Sequence, residues 1–304
     1  MYKQNSQIDS NVGFAIGTGR CGTNFLAKLI ELEPYVKSTH ERNALNETFH
    51  RYCKWYDLPV DNEGFLQTKE TEILEDLKKH DYSFEASAFL SVSVKDLYER
   101  FGAKFLLLVR SPEKVINSYL VKGWYKDKFI QKNHDLGLGY QKNKSFHHFL
   151  GRPAPIGDKF TKWQTMTRVG KLAWYWNELN FRVINLFEQI PKEYWKIQKL
   201  EEFDYQSYIE IANFFGFQPK VTVKQFDNLT NKKPNGFIEV PTIKDWTDQE
   251  KLEFEREVQS MAKYFDYQYQ VNLLPIPKTY SITLKQKSVR TLRKVKRIFF
   301  SFPT

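Results

Sequence analysis

Residues 11–33, NVGFAIGTGRCGTNFLAKLIELE, decide the fold. The apolar run NVGFAI (11–16) reads as a short buried strand. Gly17-Thr18-Gly19-Arg20-Cys21-Gly22 follows at once, and TNFLAKLIELE then has helical periodicity that stops before Pro34. A glycine-rich turn running into a helix offers backbone N–H groups and the positive end of the helix dipole to an anion. The spacing from Gly17 to Gly22 is the G-x-x-x-x-G of a P-loop, but the Lys and Ser/Thr that should follow are Thr23 and Asn24. Arg20 supplies a bidentate cation inside the turn instead, and Thr23 and Asn24 add side-chain donors. A turn serving only to reverse the chain needs fewer donors.

Outward from this unit the chain alternates strand and helix. YVKSTH (35–40) reads as a strand, and NALNETFHRYCKWY (43–56) as a helix with Leu45, Phe49, Tyr52 and Tyr56 on one apolar stripe. A polar loop containing Pro59 and Gly64 leads to a helix at 69–80, a strand at 82–86, a helix at 93–101 and the strongly apolar strand KFLLLV (104–109). Ser111 is a helix N-cap with Pro112 at the first helical position. Residues 126–162, rich in Gly and Pro, read as a long irregular insertion of the kind that forms a lid or binding loop. A long helix at 165–190, a fifth strand at 193–199, a helix at 205–216 closed by Gly216, a loop at 223–237, and a helix at 247–265 with a Thr247/Glu250 capping box complete the pass. The expected fold is α/β: a P-loop-like, mainly parallel central sheet of about five strands with helices on both faces.

The fourth strand holds the second clue. A P-loop nucleotide-binding protein ends such a strand in Asp to hold Mg²⁺, whereas this one ends in Arg110. Ser118 lies two helical turns past the cap, so Arg110 and Ser118 are placed to hold a phosphate at the C-terminal edge of the sheet. The competing role for Arg110 is an ion pair at a strand end. Two anion sites, and no magnesium residues at either, suit a nucleotide with phosphates at both ends of its ribose.

Composition sets the outer limits. The chain has 304 residues, 41% of them hydrophobic and 27% charged, which excludes disorder, collagen and coiled coil. Its 25 Phe, 17 Tyr and 7 Trp favour a packed interior with ring-lined grooves. Eight of the ten net positive charges fall after Asp266, so basicity belongs to the tail and does not argue for nucleic-acid binding by the domain. Residues 286–300 space Val289, Leu292, Val295 and Phe299 as a helix with cations between. Peripheral contact with an anionic membrane and docking on its own domain both fit. Two cysteines, Cys21 and Cys53, give no disulfide framework and no zinc knuckle. With no signal-peptide pattern and no long apolar run, a cytoplasmic location is expected. His134, His147 and His148 carry no metal-site spacing, and no metal is expected.

These motifs resemble those of the sulfotransferase family. GTGRCGTNFL is similar to its 5′-phosphosulfate loop, and LLLVRSPEKVINSYL to its 3′-phosphate motif. LAWYWNELN (172–180), IEIANFFGF (209–217) and NKKPNG (231–236) follow in the family's order, so the resemblance spans about 12–266. It implies a sulfotransferase domain at 1–266, with 126–162 on the acceptor side, and a basic tail at 267–304. The implied activity is transfer of a sulfuryl group from 3′-phosphoadenosine 5′-phosphosulfate (PAPS) to a hydroxyl or amine of a small-molecule or glycan acceptor, without a metal. In that resemblance Gly19, Arg20, Cys21, Gly22, Thr23 and Asn24 surround the leaving phosphosulfate, Arg110 and Ser118 hold the 3′-phosphate, and Lys232 or Lys233 folds over the nucleotide. The family's base is a His after the third strand or a Glu after the second. The third strand here reads FEASA (84–88), without His and with Ala86 where a lysine is common. Glu41 is therefore the first candidate base, with His40 and Glu85 as alternates, and capping of the next helix is the competing role for Glu41. The other functional classes that the residues leave open are a P-loop nucleotide kinase or triphosphatase, which accounts for the first turn alone, and a non-catalytic polyanion or membrane binder, which accounts for the tail alone.

Overall fold

The computed structural model describes residues 11–59, 61–126, 152–231 and 242–269. The insertion's residues 127–151 with His134, His147 and His148, the lysines Lys232 and Lys233, and the tail from 270 lie outside them.

Five strands, β1 (Val12–Gly17), β2 (Val36–His40), β3 (Tyr82–Ala86), β4 (Lys104–Val109) and β5 (Trp195–Lys199), form one parallel sheet in the order β2-β3-β1-β4-β5. The sequence explains the order. β1 and β3 are buried at every position and β4 at all but its first, as strands covered on both faces must be, whereas β2 and β5 mix buried and half-buried residues at the edges. The registers His40↔Ala86, Gly17↔Leu108 and Val109↔Lys199 bring the C-terminal ends of the strands to one edge.

Ten described helices surround the sheet: α1 (Thr23–Ile30), α2 (Ala44–Trp55), α3 (Asn62–Leu77), α4 (Val94–Phe101), α5 (Pro112–Lys122), α6 (Asp158–Thr165), α7 (Arg168–Phe187), α8 (Tyr205–Phe215), α9 (Val223–Thr230) and α10 (Asp248–Tyr264). On one face Phe14, Ile16, Phe105 and Leu107 pack with Leu172, Trp176 and Val183 of α7 and with Phe254 and Val258 of α10. On the other, Ala15, Phe84, Leu106 and Leu108 pack with Leu26 and Ile30 of α1 and Ile211 and Phe215 of α8. Each such aliphatic or aromatic side chain contributes about 1.5–3 kcal/mol by leaving water. None of the described helices is long and apolar enough to cross a membrane.

Four expectations are corrected. Gly64 is helical, because α3 starts at Asn62 with Asp61 accepting the Gly64 N–H. Residues 223–230 are helix α9 rather than loop, set by a Thr222/Gln225 capping box. The irregular stretch expected through 162 gives way to α6 at Asp158. On α2, Tyr52 and Tyr56 of the expected stripe do pack on the core, but Leu45 and Phe49 are 62% and 49% exposed, and the first turns instead bury Glu47, Thr48, His50 and Arg51. That change follows from buried polar partners, which periodicity in apolar residues does not register.

Candidate functional site at the C-terminal edge of the sheet

The first β-α turn is wound by left-handed residues: Gly19 (φ +78), Arg20 (φ +59) and Gly22 (φ +106). Its carbonyls are drawn toward the protein. Ser91 Oγ donates to Gly17 O at 2.9 Å, Tyr119 and Tyr175 hydroxyls donate to Thr18 O at 2.5 and 3.2 Å, and Arg110 Nη1 donates to Arg20 O at 3.1 Å. α1 also has no side-chain cap, and an uncapped helix N-terminus suits an anion. Close approach requires glycine here. A Cβ on Gly19 would lie 2.3 Å from the Tyr119 hydroxyl oxygen, and one on Gly17 would lie 2.5 Å from Leu108 O and 2.6 Å from Cys21 Sγ. Cys21 is fully buried, and burial pushes its thiol up to about 11, so it packs beneath the loop as a neutral group.

The two motifs that sequence separates meet in space. Arg20, exposed at the tip of the turn, donates from Nε to Ser118 Oγ on α5 at 2.8 Å. Arg110 leaves the end of β4, its carbonyl accepts the Trp176 indole N–H at 3.1 Å, and its guanidinium reaches back to the loop. Burial lowers the pKa of Arg110, with Glu201 opposing. Ser111 caps α5 as expected, accepting from Lys114 N, and also accepts from the Tyr269 hydroxyl at 2.9 Å. Asn24 is exposed on the first turn of α1, while Thr23 Oγ1 lies 3.2 Å from His40 Nε2. Arg20, Ser118 and Arg110 thus form one polar rim beside the turn.

The β2 end supplies the acid–base groups. Glu41 is half-buried with φ +48, a conformation that costs a side-chain-bearing residue roughly 1–2 kcal/mol. It does not cap α2: Asn43 occupies the cap, and its N–H is taken by Glu47. Burial raises the Glu41 carboxyl and the Glu47 charge adds to this, against Arg51 and Arg20. Its carboxylate stands 3.9 Å from His40 Nε2. Burial also lowers His40, Glu47 opposing and Lys28 assisting. Glu85 lies deeper, with Oε1 accepting Arg42 N at 3.0 Å and Oε2 accepting Lys69 Nζ at 2.9 Å. Burial and the Glu47 charge raise the Glu85 carboxyl, with Lys69 opposing. Both of its oxygens are thereby committed to the protein, whereas Glu41 has its carboxylate beside His40 and feels the Arg20 charge.

Sequence reasoning missed Arg51, Glu47, Lys69, Tyr119 and Tyr175. Arg51 is 1% exposed, donates to the Tyr175 hydroxyl at 3.2 Å and stacks 5.0 Å above Phe89. The available signal was the i, i+3, i+4 spacing of Glu47, His50 and Arg51, a polar stripe on a helix whose other stripe is apolar. Among the described residues no group of three or more His, Cys, Asp and Glu side chains is placed to hold a metal ion.

No family model matches the chain, and no curated protein matches it. Among solved structures it is similar to the sulfotransferase domain from the curacin biosynthetic pathway, at 12% identity over 93% of this chain and 97% of that one, with a TM-score of 0.43. It is also similar to the sulfotransferase domain from the Synechococcus PCC 7002 olefin synthase, at 10% identity over 100% of both chains, with a TM-score of 0.41.

Proposed function

We propose that the chain is a sulfotransferase, moving a sulfuryl group from PAPS to an acceptor hydroxyl or amine by in-line displacement. One observation carries the reading: Arg20 of the glycine turn and Ser118 and Arg110 of the β4–α5 motif converge beside the uncapped N-terminus of α1. The P-loop spacing alone would equally suit a kinase, but Thr23 stands where its phosphate-binding lysine belongs and Arg110 where its magnesium carboxylate belongs.

PAPS, as substrate, brings the activated S–O bond. The turn amides and Arg20 hold its phosphosulfate end, and Arg110 with Ser118 holds the 3′-phosphate. Seating both ends exchanges the Arg20–Ser118 bond for phosphate contacts, a loss of about 1 kcal/mol against charge-assisted bonds worth about 1.5–3 kcal/mol each. Glu41 takes the acceptor's proton as the acceptor oxygen or nitrogen bonds to sulfur. The S–O bond to the 5′-phosphate breaks, its electron pair stays on the phosphate oxygen, and Arg20 stabilises that charge. A carboxylate raised by burial is a stronger base than one in water, which suits Glu41 to this step.

Thermal unfolding with adenosine 3′,5′-bisphosphate in EDTA tests the reading. At 100 times its dissociation constant the ligand should add about 2.7 kcal/mol of stability, and mass spectrometry of an acceptor panel with PAPS should find added sulfate. Stabilisation by ATP with Mg²⁺ and none by the bisphosphate overturns it in favour of a kinase or triphosphatase.

A further inference from the structure

Glu41 occupies a left-handed conformation, which must be enforced from outside the turn. Three successive amides there are each held by an acceptor outside the turn, two on β3 and the third on Glu47, four residues along in α2. Glu41 N donates to Ala86 O at 3.2 Å, Arg42 N to Glu85 Oε1 at 3.0 Å, and Asn43 N to Glu47 Oε1 at 3.1 Å. The two carboxylates come from different elements, β3 and α2, and Lys69 of α3 joins them, with Nζ 2.6 Å from Glu47 and 2.9 Å from Glu85. Glu72 completes the lysine's shell at 2.9 Å, and Ser87 Oγ donates to Glu47 Oε2 at 2.5 Å. Glu47 is wholly buried and Lys69 is 1% exposed. The Arg42 side chain anchors the same turn, making two bonds to Asp76 at 2.7 and 2.9 Å and one to Glu72 O at 3.1 Å.

A buried ion cluster is a poor way to gain stability, since a well-packed apolar replacement often does as well. This one directs its oxygens at two backbone amides next to Glu41. We propose that Glu85 and Glu47, joined through Lys69, are positioning residues that lock the Glu41 turn by holding the Arg42 and Asn43 amides. The clamp stands on geometry alone; its catalytic consequence rests on the sulfotransferase reading.

Hydrogen exchange reads the clamp whatever the reaction. In the parent protein the Arg42 and Asn43 amides should exchange about 1000-fold or more slowly than in an unstructured peptide, and in Glu85→Ala the Arg42 amide should speed up by at least about tenfold. Glu85→Gln, whose amide oxygen still accepts the Arg42 N–H, should restore protection. In the sulfuryl-transfer assay Glu85→Ala should lower kcat about tenfold or more while the bisphosphate dissociation constant stays within about twofold, and Glu85→Gln should recover most of the loss. Unprotected amides in the parent protein overturn the proposal without any variant, which covers the case in which Glu85→Ala does not fold. A folded Glu85→Ala with parent kcat or unchanged exchange overturns it too. Absence of sulfuryl transfer by the parent protein defeats the functional reading instead, and exchange then decides the clamp.

Discussion

Replacing Gly19 by alanine is expected to damage the first β-α turn by an amount that can be apportioned. At φ +78 an L side chain costs about 1–2 kcal/mol. The new methyl would also stand 2.3 Å from the Tyr119 hydroxyl oxygen, on a ring buried between Trp124 and Tyr175 and tied to Thr18 O. Overpacking against a ring so held costs a further 1–3 kcal/mol or so. The sum, about 2–5 kcal/mol, corresponds to a fall in Tm of roughly 4–10 °C for a chain of this size. Tyr119→Phe alone removes one donor from Thr18 O but leaves the Tyr175 hydroxyl bonded there at 3.2 Å, so it should cost about 0.5–1.5 kcal/mol. In the double variant the nearest Tyr119 ring atom to the methyl is Cζ at 3.5 Å, an ordinary contact. The overpacking part then vanishes, and the two changes should be less than additive by about 1–3 kcal/mol. Urea unfolding of the four proteins measures this cycle. A Gly19→Ala protein within about 0.5 kcal/mol of the parent, or strict additivity, would refute the geometry assigned to the turn.

Arg110→Ala should weaken adenosine 3′,5′-bisphosphate by about 1.5–3 kcal/mol in a calorimetric titration; unchanged affinity would remove Arg110 from the nucleotide site. Glu41→Gln should leave that affinity intact and abolish most turnover. Because burial raises the Glu41 carboxyl, the parent's kcat/KM should climb with pH through a value above the ordinary carboxylate range. A raised carboxyl also costs the folded state stability once pH passes its unfolded value, so Glu41→Gln should be more stable than the parent near neutrality and equal to it in acid. Lys69→Met, which strands Glu47 in the interior, should lose about 3–5 kcal/mol of unfolding free energy.

The parallel alternation was legible because each central strand is a short unbroken apolar run with a turn signal on both sides. β3 and β4 lie at the expected bounds and β1 runs one residue further, to Gly17, and the caps at Ser111, Gly216 and Thr247 are where their side-chain and backbone chemistry requires. Arg20, Arg110 and Ser118 were equally visible as candidates for one site, each following a strand end or lying on the helix after it. The hydrogen bond from Arg20 to Ser118 was not, since it spans 98 residues and depends on how far α5 leans over the turn. The polar face of α2 was hidden for a different reason. Its Leu45–Phe49 stripe is a good amphipathic signal, and partners distant in sequence, among them Lys69, Ser87, Ser93 and Tyr175, make the polar face beside it a buried one. Helices α6 and α9 were obscured by Gly and Pro before the first and by loop-like Asn, Thr and Lys within and after the second.

Cys21 gives the turn its own chemical reporter. Its sulfur is sealed beneath Gly17 with a thiol pushed up to about 11, so alkylating reagents meet neither access nor thiolate while the loop is closed. Labelling at this one atom therefore counts openings of the glycine turn, and any nucleotide that seats there slows the count in proportion to its occupancy.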